Sequence, residues 1–287
     1  MKKTFALMIA VFMAAMFFTS CEKEGVYEPK QKISEIKHNR YHALPSGTTI
    51  SNNEREVWTW NGKVLSYIDY YNAKDERIGT TLFRYDENNR ISEINYGSNT
   101  AKFNYVDNLI NEIEIFNTNG AKVGKFELEH KGSKVSAMNV TLNDDKSLIT
   151  LPFNPLSLFI PENAADKVLE CSNTKGTTHV ALTWTGNNVT AMEMKGSYNV
   201  SYKWTYDENN NPYKGLFDVD ALSMDAIFSA NNVVREVISQ GSSSSTTDFT
   251  YTYDGKNCPV KKSWESVVYL SEFGLDVPVT YVDEFKY

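Results

Sequence analysis

The stretch Phe83-Arg84-Tyr85-Asp86-Glu87-Asn88-Asn89-Arg90-Ile91-Ser92-Glu93-Ile94 constrains this chain more than any other. Phe83 and Tyr85 alternate with Arg84 and Asp86, the period of a strand with one apolar and one wet face. Glu87-Asn88-Asn89 supplies residues that tolerate left-handed backbone and bond to it locally, as a tight connection requires. Beyond it, Ile94 and Tyr96 alternate with Glu93 and Asn95, so pairing the two strands puts both apolar faces on one side of a hairpin.

The unit recurs. Its exit, an aliphatic residue followed three positions later by a second, appears at Ile33–Ile36, Leu65–Ile68, Ile91–Ile94, Ile110–Ile113, Val135–Met138, Val189–Met192 and Val234–Val237. The closest internal match sets His130–Met138 against Trp184–Met192. Several exits lie about 19 to 32 residues apart, room for two strands and two turns. Asn61-Gly62 between Trp58/Trp60 and Leu65 is a strong hairpin signal, and residues 57–142 read as an uninterrupted up-and-down meander. Aromatic residues at 13%, with 17 Tyr, fit a β-rich chain. The expected fold is all-β: a large curved antiparallel up-and-down meander, open or closed and barrel-like, with two short non-strand inserts.

The inserts interrupt the rhythm. Residues 151–161 are apolar but carry three prolines, which a central strand does not accept, and a short helix is expected over 162–170. Residues 211–228 hold Leu216, Phe217, Leu222, Ile227 and Phe228, too apolar for a solvated loop. Both inserts are expected to cover or fill the apolar concavity, because a sheet of many strands must curl or close.

Residues 1–20 combine Lys2 and Lys3 with an apolar run from Phe5 to Phe18, a signal sequence too short to span a membrane once mature. Phe18-Thr19-Ser20-Cys21 resembles the lipobox of bacterial lipoproteins, with Phe in place of the usual Leu. The resemblance implies cleavage before Cys21 and its acylation, hence anchoring in the outer membrane through N-terminal acyl chains. Residues 21–32 are then the acylated Cys and a flexible tether, and 33–287 a single β-meander domain. The acidic residues after Cys21 resemble the surface-export signal of Bacteroidetes lipoproteins and imply the cell surface over the periplasmic face. Loss of Lys2 and Lys3 moves the formal charge from −7 to −9, unfavourable for nucleic acid.

Tyr85-Asp-Glu-Asn-Asn-Arg-Ile91 and Tyr253-Asp-Gly-Lys-Asn257 resemble the YD repeats of Rhs-type proteins. With the lipobox and the Asn211-Pro-Tyr insert, the mature chain resembles a Bacteroidetes lipoprotein family of unknown function with a porin-like fold. The resemblance implies a curved meander or barrel and transfers no catalytic residue. The aromatic C-terminus is also what strands of outer-membrane barrels show, although many turns follow strands too short for spanning.

Chemistry is sparse. His38, His42, His130 and His179 lack paired metal-ligand spacing, and His130 stands where its matching repeat has Trp184. Asp207-Glu-Asn-Asn-Asn211 mimics the opening of a calcium loop but lacks its Gly and closing Glu, so a plain turn is expected. No nucleophile elbow, phosphate loop or zinc-helix motif is present; neither catalysis nor a cofactor or metal is expected. Cys171 and Cys258 are free to pair in an exported protein. Of the tryptophans, Trp58, Trp60, Trp184, Trp204 and Trp264 mostly alternate in phase with the apolar face, favouring the core over a sugar-stacking platform. The ligand-binding candidates are Trp58, Trp60, Phe159, Trp184, Phe217 and Phe228. Two function classes fit: a non-catalytic lipoprotein binding a glycan, peptide or hydrophobic ligand, or a carrier of lipid or acylated cargo in the apolar concavity.

Overall fold

A computed structural model describes residues 24–43, 47, 49–97, 99–142, 177–196, 199–217, 224–270 and 274–287. The first strands are β1 (Glu35–Ala43), β2 (Thr49–Asn61), β3 (Val64–Tyr71), β4 (Arg77–Tyr85), β5 (Ile91–Tyr96) and β6 (Asn99–Val106). They continue through β7 (Leu109–Phe116), β8 (Lys122–Lys131), β9 (Lys134–Leu142), β10 (Thr177–Thr185), β11 (Asn188–Lys195) and β12 (Val200–Asn210). A one-turn helix, α1 (Met224–Phe228), precedes β13 (Asn231–Gln240), β14 (Ser243–Asp248), β15 (Thr250–Tyr253), β16 (Pro259–Leu270) and β17 (Leu275–Lys286). All 17 strands belong to one sheet.

Apart from β14 and β15, each strand pairs antiparallel with the next, and the ladder then comes back on itself. β1 pairs with β2 from Glu35↔Val57 to Ala43↔Thr49 and with β17 from Glu35↔Lys286 to His42↔Val279. β9 and β10 pair across the long connection at 143–176. A ring of purely antiparallel neighbours needs an even number of strands, since an odd number would bring the last beside the first in parallel. β14 and β15 supply the parity. They run on through Phe249 as one interrupted strand, β14 pairing with β13 and β15 with β16. The product is a barrel-like sheet that ties the two ends of the chain together.

The turns alternate between the two ends. One end collects the turns after β2, β4, β6, β8, β10 and β15 together with the insert after β12. There Gly62, Asn89, Asn108, Gly132, Gly186 and Asn257 take φ between 56° and 68°, the left-handed backbone that the Asn and Gly residues promised.

The hollow is full. Ile36, Trp58, Leu65, Ile68, Phe83, Ile94, Phe126, Met138, Met192 and Tyr202 form one buried cluster inside the ring. Of the aromatic faces expected there, Tyr85 packs partly buried against this cluster, and Tyr251 is half-buried and stacks on Tyr253 at 5.9 Å. Packing of the interior agrees with the expectation that a wide curled sheet needs contents, and the chain's own side chains supply much of it. A wide ring of inward Ile, Val, Leu and aromatic residues gains more by collapsing on its own side chains than by standing open to water.

The outer wall is charged. Lys125 lies 2.7 Å from Glu127 and 4.0 Å from Glu112, Lys122 pairs with Glu114, and Arg84 lies 3.5 Å from Glu93. A lipid-facing wall needs an apolar band about 25 Å tall, which these ion pairs within and between strands interrupt. The large apolar residues exposed among the described residues (Tyr41, Ile78, Leu82, Val106, Val267 and Tyr269) are spread over four strands, β1, β4, β6 and β16.

Candidate functional site

A repeated device closes the end of the barrel that carries the left-handed turns. The aromatic residue just before several of these turns follows a slip in strand register and reaches back to the exit of an earlier hairpin. Trp60 Nε1 donates to the Ile33 carbonyl at 2.7 Å, Tyr85 Oη to Leu65 at 2.7 Å and Tyr105 Oη to Ile91 at 2.6 Å. Trp184 Nε1 donates to Val135 at 2.7 Å, and Tyr206 Oη donates to Val189. Each acceptor is the first aliphatic residue of a repeated exit. The aliphatic side chain fills the core while its carbonyl holds the next aromatic ring.

The series breaks at His130, and the N-terminal segment occupies the break. Glu24 accepts from the Ile110 amide at 2.8 Å and lies 3.0 Å from His130 Nε2 through both carboxylate oxygens. Gly25 then accepts from the Ile91 amide at 2.8 Å, and Tyr27 Oη donates to the Pro212 carbonyl at 2.8 Å. Tyr27 and Ile33 are buried. This corrects the expectation of a flexible tether over residues 21–32: from Glu24 onward the segment is a strap across the mouth, because its polar head finds partners and its apolar residues find the core. Glu24, one of the acidic residues behind the resemblance to an export signal, thus has a structural role of its own.

The strap meets the insert backbone to backbone. A Cβ on Gly215 (φ +83°) would lie 2.9 Å from the Val26 carbonyl oxygen, and one on Gly25 (φ +76°) would lie 1.9 Å from Tyr105 Oη. In the described part of the insert Leu216, Phe217 and Ile227 are buried, with α1 packed over β11, while Leu222 lies outside the described residues.

Between strap, insert and turns lies a cavity of about 580 Å³. Its walls are Glu24 to Val26 and Glu28 of the strap, Asn88 and Asn89 of one turn, Ser133 to Val135 of another, and Trp184 with Asn187 of a third. Lys214, Gly215, Phe217, Ile227 and Phe228 complete it from the insert. The Phe228 ring stands 6.2 Å from Trp184 and 6.0 Å from Phe217, making an aromatic floor. Lys134 Nζ lies 5.1 Å from the Trp184 ring and donates to the Gly186 carbonyl. An apolar floor under a rim of amides, a hydroxyl and charges of both signs is the composition of a small-molecule site.

Three of the six sequence candidates, Trp184, Phe217 and Phe228, therefore meet in one place. Trp58 does not join them. It is buried, donates to Glu56 at 2.8 Å and packs near Tyr27 and Tyr213. Trp60 is stacked under Tyr27 at 5.7 Å and fronted by Lys32 at 5.3 Å. Phe159 lies outside the described residues, as do Cys21, Cys171, the signal sequence and the proline-rich insert. Cys258 is buried with a free thiol. Asp207 belongs to β12 rather than to the expected plain turn, and accepts from the Asn232 amide at 3.1 Å and from Tyr253 Oη.

Sequence reasoning missed Glu24, Glu28, Lys134, Lys214 and the asparagine rim. A usable signal was present for part of it, since the closest internal repeat pair, His130–Met138 and Trp184–Met192, forms adjoining hairpins that supply Ser133, Lys134, Trp184 and Asn187. It also missed His38, which bridges Asp283 at 2.8 Å and Glu56 at 3.1 Å between three strands of the closing seam. Burial alone would disfavour its imidazolium, but the hydrogen bonds to Asp283 and Glu56 outweigh that and raise its pKa to about 10.

In fold, the chain resembles porin-like proteins of Bacteroides. A porin-like protein from Bacteroides uniformis ATCC 8492 superposes with a TM-score of 0.53 at 12% identity, covering 90% of this chain and 98% of its own. One from Bacteroides vulgatus ATCC 8482 gives 0.44 at 9% identity, covering 89% and 98%. No family model and no curated protein matches the chain.

Proposed function

We propose that this chain is a lipoprotein held at the outer membrane through acylated Cys21, facing the cell surface, and that its end cavity binds a ligand without transforming it. The observation that carries the binding role is the meeting of Trp184, Phe217 and Phe228, from strand and insert, in one cavity rimmed by Asn88, Asn89, Asn187, Lys134 and Lys214. A ligand with an apolar body and polar substituents suits those walls: a glycan, a peptide or an amphiphile. The anchor is supported by the lipobox-like Phe18–Cys21 after an apolar signal run. The alternative, a carrier of lipid or acylated cargo in the apolar concavity, would have cargo compete with the side chains that pack that interior.

Tryptophan fluorescence of the full chain, titrated separately with maltohexaose, tetrapeptides and oleate, tests the reading. A saturable change is expected with one of these classes. Phe228→Ala should weaken it at least tenfold, and Trp264→Phe, away from the cavity, should leave it in place. A flat response to all three, or binding indifferent to Phe228→Ala, would count against the site.

A further inference from the structure

We propose that the strap end of the barrel rests on the bilayer that anchors the chain, and that the cavity takes an amphiphilic lipid from that bilayer. Its apolar part would lie against Trp184 and Phe228 and its polar head toward Lys134 and Lys214. The proposal deepens the binding reading above and rests on the acylation of Cys21.

The argument is one of chain length. An extended backbone advances at most about 3.6 Å per residue, so a free tether over residues 21–32 would let the domain stand about 40 Å from the lipid. The structure removes that slack. Glu24 is fixed by Ile110 and His130, and it is itself part of the cavity wall. Three residue steps then separate the wall from the acylated position, a reach of about 11 Å. Headgroups occupy about 5 to 8 Å on each side of the hydrocarbon, so the cavity mouth is confined to the headgroup neighbourhood.

Charge agrees. The strap (24–34) and the turns and insert of that end (61–64, 86–90, 106–109, 131–134, 185–188, 211–217, 254–258) hold eight Lys and Arg against six Asp and Glu. On a chain of formal charge −7, this end is the one biased toward anionic headgroups. Lys63, Lys131 and Lys256 stand exposed on separate turns around the mouth. The wall above carries the ion pairs of a surface in water, so the arrangement is one of contact by an end and not of insertion.

The test uses the full acylated protein in vesicles of phosphatidylethanolamine and phosphatidylglycerol, with or without bromines on the acyl chains. Bromine should quench part of the tryptophan emission. Trp184→Phe should remove most of that quenching, and a flexible spacer of about twelve residues inserted before Glu24 should lower it at least twofold while attachment persists. Quenching that survives Trp184→Phe, or that the spacer leaves unchanged, overturns the proposal. A response to maltohexaose that depends on Phe228, with no bromine quenching, overturns the lipid assignment but leaves the binding site standing. Mature protein without acyl mass, or a Cys21→Ser chain still held by vesicles, removes the anchor on which the length argument depends.

Discussion

Tyr105 joins three parts of the molecule through one ring. Its hydroxyl holds the Ile91 carbonyl at 2.6 Å, its face lies 4.2 Å from the Arg90 guanidinium, and its edge leaves room only for hydrogen at Gly25. Burial pushes its hydroxyl pKa above the usual tyrosine range, so the group stays a donor at any physiological pH. Tyr105→Phe keeps the ring and removes the bond. A loss of about 1 kcal/mol is expected, read as a lower urea midpoint at an unchanged slope. Much of this was legible beforehand: an aromatic residue before most of these turns, with His130 as the exception, and an aliphatic one after them mark the repeat. That the aromatic residue of one hairpin bonds the exit of an earlier one was not, because the acceptor is a backbone carbonyl and leaves no trace in residue type.

At the scale of elements, α1 shows how little a short helix owes to its own sequence. Five residues cannot support a helix by propensity. α1 persists because Ile227 is buried and because the Asn211 side chain donates to the Ala226 and Ser229 carbonyls at 2.7 and 2.9 Å, satisfying its free end. Asp225 in its first turn is buried; desolvation and the nearby Glu236 push its pKa up to about 7, with Lys262 opposing. Since the folded value lies above the unfolded one, near 3.8, the folded state holds more protons between them. Stability from this group is then full below about pH 4 and lost as pH rises toward 7. Asp225→Asn should flatten that part of the profile in melts from pH 4 to 7, leaving the share of Glu236, whose pKa burial also raises.

For the whole molecule, closure depends on strands from opposite ends of the chain. β1 lies between β2 and β17, and His38 bonds both neighbours through Glu56 and Asp283. Its folded pKa of about 10 lies above the ordinary 6.5, so its contribution is complete below about pH 6.5 and lost as pH climbs through 10. His38→Leu leaves two carboxylates without their shared cation. A loss of about 3 kcal/mol near neutral pH is expected, with the slope between pH 6.5 and 10 largely gone in denaturant titrations. A mutant as stable as the parent across that range would show that the seam does not rely on this bridge.

The sequence by itself determined the hairpins. Alternation of period two and left-handed Asn and Gly turns are written within about a dozen residues, and pairing neighbours through short turns costs little loop entropy. It also marked 211–228 as a cover, from apolar residues that water would not tolerate. Tertiary structure alone decided that the ladder closes, that the lumen is filled, that the strap is fixed and that three of six candidate residues meet. Those outcomes depend on partners far apart in the chain: Glu24 on His130, His38 on Asp283, Trp184 on Phe228. A polar residue reads alike in a tether and in a latch until the group that would bond it is in place, and only the folded barrel puts it there.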